Sequence, residues 1–178
     1  KLGKEDEKLR NTVLDAIGKS SLKGAPLASL LRRFESSPAA LWAAVKSTQA
    51  LENLVLPPMA ERDAKMIAFD KVLKDIWAAE KDAKVLVFTE SRETLESLQA
   101  RMRDGGMEAL AYHGDLPLVE RDRQVARFRD PDGPKVLICT EVGSEGRNFQ
   151  FSHHLINYDL PWSPAVVEQR IGRLDRIG

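Results

Sequence analysis

Apolar residues recur at helical spacing along the first part of the chain. Three stripes follow one another, Leu27, Leu30, Leu31 and Phe34, then Leu41, Trp42 and Val45, and, after Pro57-Pro58, Phe69, Val72, Leu73, Ile76 and Trp77. Such apolar faces are typical of helices packed on a larger body. Ser36-Ser37-Pro38 is a plausible start for the second helix. Residues 1–24 are polar and rich in lysine, and we expect them to be partly flexible.

From residue 84 onward the pattern changes to short apolar runs separated by amphipathic segments. Four runs rich in β-branched and aromatic residues predict strands at 84–89, 107–112, 135–140 and 154–158. Helices are predicted over 92–103, after a cap at Asp115, and from Ser163-Pro164 through Val167 and Ile171. Strands that alternate with helices and are apolar on both faces indicate a parallel sheet between helical layers. We therefore expect an α/β domain over residues 81–178, preceded by an α-helical segment over residues 1–80.

Composition narrows the class of protein without deciding its function. The 178 residues carry 27 basic and 27 acidic side chains, which argues against binding of nucleic acid by bulk charge alone. A single cysteine, Cys139, excludes an internal disulfide, and three histidines without a C-x-x-C pattern give no metal signature. No apolar stretch is long enough to span a bilayer, so we expect a cytoplasmic protein. Because the chain begins at Lys1 and stops at Gly178 within a glycine–arginine motif, we expect a fragment of a longer protein.

Polar residues follow each predicted strand, where ligands bind to parallel sheets. Thr89 and Ser91 follow the first strand, His113 and Gly114 the second, and a glycine-rich segment from Thr140 to Asn148 the third. Hydroxyls and unpaired backbone N–H groups at such positions suit phosphate oxygens. Glycines at 143 and 146 allow a ligand to approach the backbone closely.

The last ten residues contain three arginines spaced three apart. If this segment is helical, Arg170, Arg173 and Arg176 share one face and repel each other unless an anion neutralises them. A nucleoside triphosphate is such an anion. The alternative for Arg170 is an ion pair with Glu168 or Asp175 on the surface.

Several segments resemble motifs of superfamily-2 helicases. QRIGRLDRIG is similar to their sixth motif, TEVGSEGRN to the fifth and VLVFTES to the fourth. YHGDLPLVERDRQVARF and NYDLPWSP resemble segments of the Swi/Snf-like branch, and the bacterial RNA-polymerase-associated remodelling ATPases are the members to which the chain is most similar. The motifs occur in the family's order over residues 84–178, whereas the match of residues 25–80 to the segment between the two lobes is weaker.

The resemblance implies a RecA-like three-layer fold and the role of second motor lobe in an ATP-dependent translocase. It implies that Arg176 is the arginine finger, that Arg173 contacts the γ-phosphate with support from Gln169, and that Asn148, Gly146 and Gly172 contribute to ATP binding. Residues that match positions along the nucleic-acid backbone are Thr89, Ser91, His113, Gly114, Thr140 and Gly143. The first lobe would bind most of the ATP and Mg²⁺, so the fragment alone is predicted to be inactive. The Swi/Snf-like motifs favour duplex DNA over RNA, and RNA polymerase is a candidate partner.

Other interpretations remain open at this point. A RecA-like lobe without catalytic function could serve as a regulatory or protein-binding module, although intact Gln169, Arg173 and Arg176 argue against it. An unrelated Rossmann-like enzyme is disfavoured because no G-x-G-x-x-G follows the first strand. Gly18-Lys19-Ser20 looks like the end of a phosphate loop, but Val13 occupies the place of its leading glycine. Trp162 is suited to a core, to a lobe interface or to base stacking.

Overall fold

The computed structural model describes residues 4–51, 53–57, 63–140, 149 and 151–174. It divides into two compact units, Lys1–Val72 and Leu73–Gly178. The boundary predicted from the sequence, at residue 80, stays a prediction about domain organisation.

The first unit is helical. It contains α1 (Lys4–Lys19), α2 (Gly24–Ser36), α3 (Pro38–Ser47), a 3₁₀ turn (Gln49–Leu51) and the start of α4 (Ala64–Ala79). Its core consists of buried aliphatic residues from these elements: Leu9, Val13, Leu30, Leu41, Ala44, Val45 and Leu51. The sequence did not assign a helix to residues 1–24, but α1 lies there, and its Leu9 and Val13, one helical turn apart, are buried in the core of this unit.

Helix α3 begins as the sequence predicts. The Ser37 hydroxyl accepts a hydrogen bond from the Ala40 N–H at 3.1 Å, and Pro38 occupies the first turn, where it needs no donor. In α4, Phe69 and Leu73 of the predicted stripe are buried, whereas Val72 is exposed. The apolar face of α4 is therefore narrower than the stripe suggested.

The second unit is built on a four-stranded parallel sheet. Its strands are β1 (Val85–Thr89), β2 (Ala109–Tyr112), β3 (Val136–Thr140) and β4 (His154–Asn157), in the order β2-β3-β1-β4. Every residue of β1 and β3 is buried, as expected for central strands covered on both faces. The predicted α/β class and parallel sheet are confirmed.

Helices α5 (Arg92–Asp104), α6 (Leu118–Arg129) and α7 (Pro164–Ile171) complete this unit. The connection from β1 to β2 and the one from β2 to β3 run in opposite directions, so right-handed crossovers place α5 and α6 on opposite faces. On one face, Phe128 of α6 packs with alternate strand residues and Phe149 in a buried cluster of Leu86, Phe88, Leu110, Tyr112, Leu137 and Cys139.

One predicted helix boundary is wrong, and another is confirmed. Asp115 does not cap α6, because Pro117 is at the cap position and the Asp115 carboxylate binds Arg92 instead. Helix α7 ends at Ile171 with Gly172 as its C-cap. Arg170 and Arg173 therefore do not lie on one continuous helix.

Candidate nucleotide and nucleic-acid interface

The register of the sheet brings several predicted site residues to its carboxyl edge. Thr89 pairs with Thr140, and Tyr112 pairs with Cys139, so His113 directly follows the neighbouring strand end. Adjacent parallel strands lie about 4.8 Å apart. The ends of β2, β3 and β1 thus form a short row of His113, Thr140 and Thr89.

Thr89 is buried and its hydroxyl has an intradomain partner. It donates to Asp159 Oδ2 at 2.6 Å, and the N–H of Glu90 donates to the same oxygen at 2.9 Å. Asp159 follows β4 and is itself buried. The Asp159 carboxylate therefore fixes the chain as it leaves β1, and nucleic-acid binding by Thr89 stays a prediction.

Ser91 caps helix α5. Its hydroxyl accepts from the Thr94 N–H at 3.3 Å and donates to Glu93 Oε2 at 2.6 Å. This arrangement satisfies one of the N–H groups that a helix start leaves without a partner. Ser91 was predicted only to bind phosphate, although a serine followed by acidic Glu93 is typical of a helix start and could have indicated the cap.

Two arginines hold the loop after β2. Arg92 donates to Asp115 Oδ2 at 2.9 Å, and Arg121 donates to the backbone carbonyls of Gly114 and Leu116. His113 Nδ1 lies 3.8 Å from Asp115 Oδ2. Burial, followed by the nearby charge of Arg92, holds the pKa of His113 below its ordinary value, so this histidine resists protonation.

Arg170 lies inside the domain. It is the largest fully buried side chain among the described residues, and its Nη1 donates to Asn157 Oδ1 at 2.7 Å and to the Asp159 carbonyl at 2.9 Å. Its guanidinium lies 4.9 Å from the Phe88 ring centroid. The alternative of a surface ion pair for Arg170 is therefore wrong.

The turn after α7 carries the other described candidates for ATP binding. Gln169 and Gly172 are exposed, and Arg173 is half-buried. The Arg173 carbonyl accepts from the Phe149 N–H at 2.8 Å, which ties this turn to the core phenylalanine. The predictions for Arg176, Gly143, Gly146 and Asn148 lie outside the described residues.

Trp162 is 63% exposed, so it is not a core residue of this unit. Leu160 beside it is exposed as well. A lobe interface and base stacking remain the two uses open to this tryptophan.

Three other features bear on function. Lys19 of the Gly18-Lys19-Ser20 segment ends α1 and pairs with Asp15, and no strand precedes it in the part of the chain that the structure describes. Within that same part, no three histidine, cysteine or acidic side chains come together to hold a metal ion. None of the described helices is both long and apolar enough to cross a membrane.

Comparisons with known proteins decide the family. Residues 64–178 match the family described as helicase conserved C-terminal domain. The chain belongs to this family. The RNA polymerase-associated protein RapA of Pseudomonas fluorescens (strain SBW25) is 53% identical over 100 residues, which cover 55% of this chain and 10% of that protein.

Solved structures agree with this fold. The C-terminal part of the Fun30 ATPase domain has a TM-score of 0.72 at 17% identity, covering 100% of this chain and 79% of that one. The Sulfolobus solfataricus SWI2/SNF2 ATPase C-terminal domain has a TM-score of 0.59 at 19% identity, covering 90% and 69%. The chain therefore has the RecA-like fold of helicase C-terminal domains, and it spans about a tenth of the length of the curated relatives it matches.

Proposed function

We propose that this domain is the second motor lobe of an ATP-dependent translocase that moves along duplex DNA. The single observation that carries the proposal is the ordered set of motifs in the sequence of a helicase C-terminal domain, of which Thr89 and Thr140 lie together at the carboxyl edge of the sheet. In the intact protein the lobe closes on nucleotide held by a first lobe and contributes arginines to it.

The residues around the end of α7 fit a triphosphate. Exposed Gln169 offers an amide, and Arg173 directly follows the helix C-cap at Gly172. Arginine suits this position because its planar, permanently charged fork donates to several phosphate oxygens at once. ATP with Mg²⁺ supplies the phosphoryl group that is transferred to water. We assign Arg176 as the arginine finger and Arg173 as its partner at the γ-phosphate, with Gly146 and Asn148 contributing to ATP binding.

The row at the carboxyl edge is the proposed track for the nucleic-acid backbone. The residues proposed to contact it are Thr89, Ser91, His113, Gly114, Thr140 and Gly143, the last of which lies outside the described residues. A neutral His113 can donate its ring N–H to a phosphate oxygen without long-range attraction, and the contacts would be independent of sequence. The resemblance of YHGDLPLVERDRQVARF and NYDLPWSP to segments of the Swi/Snf-like branch supports duplex DNA as the track.

RNA polymerase is the proposed partner of the intact protein. The support is the name of the relative, an RNA polymerase-associated protein that is 53% identical over the matched 100 residues.

The finger assignment is tested by Arg176→Ala in the full-length protein. We expect hydrolysis to fall by about 10³–10⁵-fold while ATP binding, measured with a fluorescent nucleotide, stays near normal, because the finger acts on charge that develops in the transition state. Arg127→Ala, on the exposed face of α6, is the matched control. An unchanged rate in Arg176→Ala rejects the assignment.

The 178-residue chain by itself is predicted to have no nucleic-acid-stimulated ATPase activity. Its sequence contains no phosphate loop for the nucleotide. Turnover by the purified chain above the buffer blank, under conditions where the full-length protein is active, would show this prediction to be wrong.

A further inference from the structure

Arg170 joins two parts of the carboxyl edge that are far apart in sequence. It belongs to the last turn of α7, and the N–H of Arg173 donates to its carbonyl at 3.2 Å. Its guanidinium ties the same turn to the segment after β4 through Asn157 and Asp159. The side chain therefore connects the arginine-bearing turn to the end of the sheet.

The connection continues to β1. The Asp159 carboxylate accepts from the Thr89 hydroxyl and the Glu90 N–H, and the N–H groups of Tyr158 and Asp159 donate to the Phe88 carbonyl. A continuous set of hydrogen bonds thus runs from α7 through Arg170 and Asp159 to the chain after β1. Every side chain in this path is buried or half-buried, so water does not compete strongly for its hydrogen bonds.

A buried arginine is not the simplest way to fill this space. An apolar side chain of similar volume would pack against Phe88 without the desolvation of a charge. The guanidinium adds directional hydrogen bonds, since its Nη1 donates to both the Asn157 oxygen and the Asp159 carbonyl and fixes their positions. Such geometry suits an element that transmits displacement between two sites.

We propose that Arg170 is a positioning residue that couples nucleic-acid binding at the loop after β1 to the ATP-facing turn after α7, acting through Asp159. The coupling rests on the proposed function, because it links the two sites assigned there. A phosphate backbone that moves the Thr89–Ser91 segment would move Asp159, and through Arg170 it would move the turn that carries Arg173.

The test measures ATP hydrolysis by the full-length protein with and without saturating duplex DNA, in the variants Arg170→Met, Arg170→Lys and Asp159→Asn. Each variant is expected to lower the ratio of stimulated to unstimulated kcat by about tenfold, within the ordinary range of coupling between sites. The double variant Arg170→Met/Asp159→Asn should lower the ratio no further than either single change, because both break the same path. Arg127→Met, the same substitution at an exposed ion pair, should leave the ratio at the wild-type value.

A second readout separates coupling from a purely structural role. Coupling is reciprocal, so a non-hydrolysable ATP analogue should change the affinity of the wild type for duplex DNA and should change that of the variants much less. Variants that melt earlier but keep both the stimulation ratio and the analogue-induced change would overturn the proposal while leaving the proposed function intact. A wild-type protein that no nucleic acid stimulates would reject the proposed function and this coupling with it. If Arg170→Met fails to fold, Asp159→Asn, which leaves the guanidinium in place, decides the outcome.

Discussion

The two edges of the sheet hold their loops in different ways. At the amino edge, charges that are exposed or half-buried form the links: Lys135 pairs with Asp82, Arg127 pairs with Glu108, and half-buried Lys84 donates to the carbonyls of the turn at 130–134. At the carboxyl edge, buried side chains form them, with Arg170 and Asp159 at the centre. We expect single changes in the charged pairs of the amino edge to have small effects on folding, whereas single changes of Arg170 or Asp159 at the carboxyl edge should have larger ones.

The difference between the edges follows from how far their polar side chains are exposed to water. Water screens an exposed ion pair and replaces either partner readily, so such pairs contribute about 0–1 kcal/mol. A buried group that loses its partner remains desolvated and unsatisfied, which costs several times more. The carboxyl edge therefore has its loops fixed in advance, as a surface that must meet ligands in one geometry requires.

The largest effect on stability is expected from Arg170→Met. Removing the guanidinium leaves two neutral acceptors, the Asn157 oxygen and the Asp159 carbonyl, without this donor, and we expect a loss of about 2–4 kcal/mol in the free energy of unfolding, since each unsatisfied acceptor costs about 1–3 kcal/mol. Arg127→Met should lose less than about 1 kcal/mol, because that side chain is 43% exposed. Urea denaturation of both variants measures the contrast, and equal losses would contradict the distinction between the edges.

The next largest difference is expected in the stability cost of replacing a glycine by alanine at each edge. A Cβ at Gly133 would lie 2.1 Å from the Arg127 carbonyl oxygen, so Gly133→Ala must displace backbone and should destabilise by about 1–3 kcal/mol. A Cβ at Gly172 would lie 3.4 Å from the Glu168 carbonyl, an ordinary contact, so Gly172→Ala should change stability by less than about 0.5 kcal/mol. Thermal unfolding compares the two.

If Gly172→Ala folds normally but lowers ATP hydrolysis in the full-length protein, the requirement for glycine at the carboxyl edge comes from the ligand rather than from the fold. Retention of full activity would remove Gly172 from the proposed ATP site.

The smallest effect concerns pH. Because the pKa of His113 lies below its ordinary value of 6.5, the unfolded chain binds a proton at this residue more readily than the folded one. The contribution of neutral His113 to stability is therefore present above about pH 6.5 and is lost as the pH falls through that value toward the folded pKa. Replacement by glutamine, which does not titrate, should flatten the acid limb of a plot of unfolding free energy against pH. An unchanged limb would show that burial of His113 has no energetic consequence.

The sequence predicted the second unit better than the first. The strands and helices from β1 to α7 have short apolar runs and amphipathic segments bounded by turn residues, and the structure differs from the prediction by one or two residues at most ends. Helix α1 was missed as an ordered element because two buried residues, Leu9 and Val13, are too few to stand out in a polar segment.

The candidate site was predicted as a set of strand-end residues, but their intradomain partners were not. The cap made by Ser91 and the pairing of Thr89 with Asp159 connect residues whose proximity depends on the packed sheet. Arg170 was expected to share a face with Arg173 and Arg176 toward a triphosphate, or to form an ion pair on the surface with Glu168 or Asp175. Its burial follows from tertiary contacts with Asn157 and Phe88, which no local pattern encodes.

The central claim is that this domain belongs to a motor driven by ATP on a nucleic-acid track, and one side-by-side assay tests it most directly. ATP hydrolysis by the full-length protein is measured with duplex DNA, single-stranded DNA and RNA at matched nucleotide concentration and fixed salt. We expect duplex DNA to give the largest increase in kcat. A rate that none of the three nucleic acids raises above the unstimulated level would contradict the claim.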